Sequence, residues 1–596
     1  MGSPTPVMHG IGMFVAAIFA LLAGSPAYGT QADPTATAIP AEHKATVFDV
    51  RGFGATGDGG TLDTAAITKA IRAASAAGGG TVAFPPGVYA TGTFELLSNV
   101  TLEVRAGAVI QGSKNLADYQ SIASYGFGKA YGINSTGEGD LVGIIVARNA
   151  ENIGIVGQGV IDGSGDDFFD LKKPHYGMDF DPRFTRQGEN FLKSMLETGD
   201  GPVEAKPSGR PGTMIVFFNC HNIVVRDVTL RNAPNWTLHL GNSRRAVITG
   251  IHVLNSLLLP NNDGIDCIVC RDVHVSDCEI RAGDDGFAFF GSENVNVTNC
   301  SLVSHSSGLR IEDTRSSVFT NLTIHSNRGI GIYERSGTSA DLVFSDIAME
   351  TQLLTGHWWG KAEAIFVAVG AQRGEGKRAN VRDVRFANIV GEAEGGIVIY
   401  GDTGSWVQDV HLDHIALKIH APRKQAAELA GGNFDFRWTA TSLAGAVFKH
   451  DIPGLYCRYI DGLRIHDLKL VWGDELPDYF SNGIECEDFR HLDLDHFEGR
   501  QASRASPAAA ILLRRGQDVS VRNSKADAGT ATFLSASEVS EEGSSRAMIC
   551  GVRNASSTGG NTISRCRVTI FPSRRAGPGG PAGNSAELLY LSLSAG

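Results

Sequence analysis

Two short acidic segments carry the residue types and spacing that could do chemistry. One is Asn261-Asn262-Asp263, and the other is Gly283-Asp284-Asp285-Gly286. Asp285 follows Asp263 by 22 residues, and Ser307 follows Asp285 by another 22, within Ser304-His305-Ser306-Ser307-Gly308-Leu309-Arg310-Ile311. Cleaving a glycosidic bond takes one protonated carboxyl group to meet the leaving oxygen. It takes a second, ionised one to activate water or attack the anomeric carbon. Three carboxylates in one cleft raise the pKa of at least one of them, because like charges oppose ionisation. Asp263, Asp284 and Asp285 are therefore the catalytic candidates. A lone Asn-Asn-Asp reads as turn chemistry. The acidic pair one step later, with Asn232-Ala-Pro-Asn-Trp-Thr-Leu-His239 upstream, changes that balance.

A step of 22 residues suggests one turn of a solenoid, with strands stacked about 4.8 Å apart. One position recurs in short units that alternate Val, Ile and Leu with polar residues. It is Asp227, Gly250, Asp277, Asn299, Asn321, Asp346, Asn388, His414, Asp467, His496 and Asn523. Most steps fall between 22 and 29 residues; two longer ones, 42 and 53, mark insertions. The pattern predicts an all-β chain, a parallel β-helix with a short N-terminal capping helix. A β-propeller would need repeats of about 40 residues or more. Neighbouring strand residues face opposite ways. Asp284 and Asp285 can share the groove only if the chain turns there, which Gly283 and Gly286 would permit.

The same stretch offers substrate-side candidates: Asn261, His305, Arg310, Arg328 and Tyr333. His357-Trp358-Trp359-Gly360-Lys361-Ala362-Glu363 adds Trp358 as a sugar-stacking face and Lys361 as a groove residue. Only one of the two adjacent tryptophans can face the groove. Lys361 and Glu363 share a side, and a solvated face is the plainer reading for both.

The chain divides by composition. Residues 1–29 read as a signal peptide, with the apolar run 10–24 and small residues before Thr30. Residues 30–45 form a linker. Residues 46–530 form the β-helix, with loop insertions near 114–212 and 421–460, and 531–596 an irregular final rung and tail. Long insertions of this kind wall grooves, and these two would block one end of it and favour exo action. Asp63 is a good N-cap for a helix whose apolar face is Ile67, Ala70 and Ile71. Glycine is abundant, 73 of 596 residues, as tight turns require. Net charge is −12 with no basic stripe, which argues against nucleic acid and anionic membranes. Nine cysteines in this length make no disulfide scaffold. Cys278 and Cys300 stack one step apart, and Cys267 with Cys270 lacks the further ligands a zinc site needs.

Several segments resemble the pectate-lyase-like β-helix superfamily, and within it glycoside hydrolase family 28, the polygalacturonases. The superfamily-wide ones are Phe53-Gly-Ala-Thr-Gly-Asp-Gly59 and Gly78-Gly-Gly-Thr-Val-Ala-Phe-Pro-Pro-Gly-Val-Tyr89. The sharper ones are Gly157-Gln-Gly-Val-Ile-Asp-Gly163, the run from Arg210 to Cys220, the run from Asn232 to His239, and the two acidic segments. The resemblance implies a right-handed coil. It implies Asp284 as general acid, Asp263 and Asp285 as the groups that position and deprotonate water, and inversion at the anomeric carbon. It also implies a secreted or periplasmic monomer acting on a pectin-like or other acidic polysaccharide, with no cofactor and no metal. Two departures bear on the substrate. Ser307 stands where the family has a histidine, with His305 two residues earlier. Gly331-Ile332-Tyr333 stands where it has Arg-Ile-Lys, with Arg310, Arg328 and Arg335 nearby. A polysaccharide lyase and a non-catalytic glycan-binding coil are the alternatives on the same scaffold.

Overall fold

A computed structural model describes residues 46–121, 141–175, 179–197, 201–370, 379–503, 507–540 and 591–594. The expected signal peptide and linker lie outside the described residues. The described chain is a right-handed parallel β-helix. Successive rungs pair in parallel and in register: Ile145–Arg148 with Ile215–Phe218, Leu238–Gly241, Ile265–Ile268, Phe287–Phe290, Ser307–Glu312, Arg328–Glu334, Ile365–Val369 and Ile397–Tyr400. The last rung among the described residues, Thr532–Ser540, pairs with Ile511–Arg522, and Leu591–Ser594 adds an antiparallel strand to it.

Alternation builds the interior. In Glu293–Ser304, Val295, Val297, Cys300 and Leu302 point inward while their neighbours face solvent. Identical positions, Phe319, Phe344 and Phe386, then stack along the axis, and Phe289 from a neighbouring strand joins them. Phe289, Phe319, Phe344 and Phe386 form a column with ring centroids 5.5, 4.9 and 5.1 Å apart. Cys267, Cys270, Cys278 and Cys300 are free and buried in this core.

The recurring sequence position is a corner. All eleven of its residues, from Asp227 to Asn523, have φ between 45° and 65°. Asn, Asp and Gly suit this left-handed conformation, and His tolerates it. Side chains also ladder there: Asn299 donates to Asp277 at 2.6 Å and Asn388 to Asp346 at 3.0 Å.

The N-terminal helix, Thr64–Ala76, lays Ala66, Ile67, Ala70, Ile71 and Ala74 against the first rungs. Asp63 precedes it but makes no side-chain cap. Its carboxylate instead accepts the N–H groups of Thr56 at 2.8 Å and Gly57 at 3.0 Å. The N-cap reading is corrected: the loop before the helix competes for the same oxygens and wins.

Both insertions carry their own structure. The first holds the hairpin Phe169–Pro174 with Val203–Ala205 and the helix Asn190–Glu197. The second holds the helix Lys424–Leu429 and the hairpin Asn433–Asp435 with Val447–Lys449. They pack on each other through Phe180, Phe191, Ala426 and Val447. Arg186 ties them further, its N–H donating to Asn433 Oδ1 at 2.7 Å and its guanidinium to Asp451 at 2.5 Å. No helix among the described residues is long and apolar enough to cross a membrane.

Candidate active site

Asp263, Asp284 and Asp285 all sit in the turns that lead into the strands Ile265–Ile268 and Phe287–Phe290. The turns are hydrogen-bonded rung to rung: Gly264 N–H donates to Asp285 O and Gly286 N–H to Ser307 O. Glycine is needed at 283 because of close approach rather than φ. A Cβ there would come within 2.3 Å of Leu259 O. The turn brings the three carboxylates together, with one oxygen from each within 4.8 Å of the others.

Their surroundings differ. Asp263 and Asp284 line a cavity of about 660 Å³. Asp284 Oδ2 accepts the Asn261 N–H at 3.1 Å. Burial, then the charge of Asp285, pushes the Asp284 carboxyl up to about 6, against the pull of Arg310. Asp263 is raised as well, first by burial, then by Asp266, Asp284 and Asp285. Asp285 lies behind the cavity surface. It accepts Ser306 Oγ at 2.8 Å, the Ser307 N–H at 3.0 Å and Arg310 Nη1 at 3.1 Å.

Asp266 was not singled out from the sequence. It is fully buried in strand Ile265–Ile268, between His239 and Ala288 on the flanking rungs. Burial, then Asp285 and Asp284, holds its carboxyl well above the ordinary range. It is the fourth acid of the cluster. Its signal in the sequence was Asp263-Gly-Ile-Asp266, which places it one strand step past the turn.

The rest of the cavity wall mixes charges with aromatic rings. Glu312 and Asp313 line it, Glu312 lying 3.3 Å from Arg335. Arg310 and Arg335 line it with Trp236, Trp359 and Trp438. The Trp438 ring lies between the two guanidinium groups, 4.2 Å from Arg310 and 3.8 Å from Arg335, and its Nε1 donates to Glu312 at 2.8 Å. Asn261 lines the cavity, its Oδ1 accepting from Arg210 at 3.0 Å. The first insertion contributes Phe169, His175 and Ala205 to the same wall.

Five substrate-side expectations, Trp358, His305, Arg328, Lys361 and Tyr333, are corrected. Trp358 is 2 % exposed and meets His305 edge-on at 5.2 Å, so neither ring lines the cavity; the adjacent Trp359 does. Arg328 is 1 % exposed and forms a bidentate pair with Glu363 at 2.8 and 3.0 Å, so it cannot reach a sugar. Lys361 and Glu363 are buried rather than solvated, with Phe191 of the first insertion 5.4 Å from the Lys361 ammonium and Asp435 of the second close by. Burial draws the Lys361 ammonium down to about 8, against the pull of Asp435. Tyr333 is buried too, under Arg310 at 5.3 Å.

These buried residues support the site from beneath. Arg328 Nη1 donates to Tyr333 OH at 2.7 Å, and Tyr333 OH shares a hydrogen bond with Ser307 Oγ at 3.0 Å. Ser307 in turn holds Asp285 through its N–H. The chain Glu363–Arg328–Tyr333–Ser307–Asp285 therefore fixes one carboxylate from the next three rungs. The trio's spacing would also suit a hard cation, but the Arg310 guanidinium already lies beside Asp285 as its counter-charge.

The chain is a parallel coil with a carboxylate cluster at the turns of its central rungs. Residues 47–333 match the family described as rhamnogalacturonase A/epimerase, pectate lyase-like. A probable polygalacturonase of Vitis vinifera is 29 % identical over 40 % of this chain and 42 % of its own length. An exo-poly-alpha-D-galacturonosidase of Dickeya chrysanthemi is 30 % identical over 39 % of each. The matched stretch thus spans about two-fifths of these relatives. The Yersinia enterocolitica family 28 exopolygalacturonase shares the fold, with a TM-score of 0.54 at 17 % identity over 75 % of this chain and 78 % of its own. Over these residues the chain is similar to polygalacturonases.

Proposed function

We propose that this protein is an exported glycoside hydrolase that cleaves an acidic, pectin-like polysaccharide by inversion. The observation that carries the reading is Asp263 and Asp284 opening into one cavity whose wall holds Arg310 and Arg335. Asp284, pushed up to about 6, keeps a proton for the leaving oxygen in mildly acidic solution. Asp263 on the cavity wall holds the attacking water, with Asp285 behind it. A uronate carboxylate fits the two arginines, and an apolar sugar face fits Trp359 or Trp438. The walls raised by the two insertions favour release from a chain end. The curated relatives named as a polygalacturonase and an exo-poly-alpha-D-galacturonosidase support the same reading. Export rests on the apolar run 10–24.

The test is a product assay on polygalacturonate, rhamnogalacturonan and neutral glycans, with and without chelator. Reducing ends and near-ultraviolet absorbance are read together, and the first-formed anomer by proton NMR. Reducing ends without absorbance, with the inverted anomer first, are expected. Absorbance rising with the reducing ends would reassign the chain as a lyase. Retention would overturn the water-holding role of Asp263. Tight binding of a glycan with no product would leave a binding coil.

A further inference from the structure

Three imidazoles converge on the outer surface of three consecutive rungs, Val407–Ile419, Leu455–Trp472 and Ile484–Gly499. His414 and His496 occupy the left-handed corner, at φ 53° and 58°. His466 lies on the rung between them, in register with Asp413 on one side and Asp495 on the other. The His466 ring stands 5.3 Å from that of His414 and 5.6 Å from that of His496. Asp413 Oδ1 lies 2.6 Å from His414 Nδ1 and 3.2 Å from His466 Nδ1, and Asp495 Oδ1 lies 2.9 Å from His496 Nδ1. Asp413, His414 and His466 can each bring a ligand atom within 4.8 Å of the others, and so can His466, Asp495 and His496.

We propose that this cluster is a binding site for one divalent transition-metal ion of the zinc type. Corner geometry alone does not call for histidine: other rungs fill the position with Asn, Asp or Gly and ladder through amides. The ligand set selects the ion. Imidazole nitrogens mixed with carboxylates suit zinc, nickel or copper, whereas calcium and magnesium take oxygen. The neighbours reinforce that choice. Arg385 lies 2.5 Å from Asp413, Arg522 lies 3.7 Å from Asp495, and Asn523 donates to Asp495 at 2.9 Å. These donors offset the two acids, so a hard cation gains little. Asp467, 3.8 Å from His414 Nε2, is the remaining carboxylate at hand. A neutral imidazole offers one lone pair, so His466 serves one ion at a time and fixes the stoichiometry at one. The ion would join the rung before the second insertion to the rung after it, tying the base of the segment that carries Trp438.

The test uses the full chain, stripped with chelator and titrated with cobalt(II), then with zinc. One equivalent of cobalt giving a visible ligand-field band, bleached by zinc, is the expected result. H466A should weaken zinc binding by tenfold or more in calorimetry. The pair H414N and H496N keeps a corner-compatible residue, so metal-free thermal unfolding should stay unchanged while binding falls. Binding should also weaken on acidification, since imidazoles must lose their proton to ligate. No cobalt band, or zinc binding undiminished in H466A, would overturn the proposal. So would binding lost in D284N but kept in H466A, because it would move the ion to the catalytic carboxylates. Hydrolase activity is not a readout here, so failure of this site leaves the functional reading intact.

Discussion

At the residue scale, Asp284 carries the sharpest expectations. Its carboxyl is pushed up to about 6, so it is protonated below that value and loses its proton above it. A general acid must hold its proton, so turnover should decline as pH rises beyond about 6. A pH–rate profile of kcat/KM checks this; a flat profile to pH 8 would remove Asp284 from the acid role. D284N keeps the shape but cannot donate, and turnover should fall about 10³-fold with the fold intact by circular dichroism. The same residue costs stability. Its folded pKa lies above the ordinary 3.8, so its favourable contribution is complete below 3.8 and lost as pH rises through about 6. That loss is roughly 2–3 kcal/mol at neutral pH. D284N should therefore melt higher than the wild type at pH 7, with the gap closing near pH 4. Equal melting temperatures at pH 7 would show that the cluster does not strain the fold.

At the scale of elements, the strand Arg328–Glu334 shows what the sequence conveyed and what it withheld. The eleven corner positions were legible because left-handed corners restrict residue type, and the repeat displays that restriction rung after rung. The two acidic turns were legible for a similar reason: their glycines sit where a Cβ would collide. The strand Arg328–Glu334 broke the rule of alternation, with all seven residues buried. The second insertion covers its outer face, so Arg328 and Tyr333 became supports rather than groove residues. Trp438 was missed because it lies in that insertion, outside any repeat. The covered strand makes its own prediction. Arg328 and Glu363 are a fully buried pair, and R328M takes away the bidentate partner of Glu363, leaving it the Lys361 N–H at 2.7 Å. That should cost about 3–5 kcal/mol in denaturant unfolding. Y333F removes only the hydroxyl between Arg328 and Ser307. Its unfolding midpoint should move far less while kcat falls, since Asp285 loses its support. Unchanged kcat in Y333F would mean that Ser307 holds Asp285 without help.

At the scale of the molecule, two insertions far apart in sequence, packed on each other and on one side of a regular coil, turn a surface into a pocket. The coil alone would present the carboxylates along an open face, where a long polymer could lie across them. The first insertion brings Phe169 and His175 to the wall and the second brings Trp438. Trp438 is the keystone on its side, held by Arg310, Arg335 and the Glu312 carboxylate. W438A removes that wall and both cation–π contacts while leaving the rungs and the three acids in place. Two effects should follow together. Affinity for a short uronate oligomer should drop about tenfold, the loss expected from a partly desolvated cation–π and stacking contact. Products from a long acidic polymer should also shift from the smallest sugars toward longer fragments, because the chain can now run past the acids. Chromatography of early products from wild type and W438A separates these outcomes. Weaker binding with unchanged product length would make Trp438 a stacking residue only, and leave the closure of the pocket to Phe169 and His175.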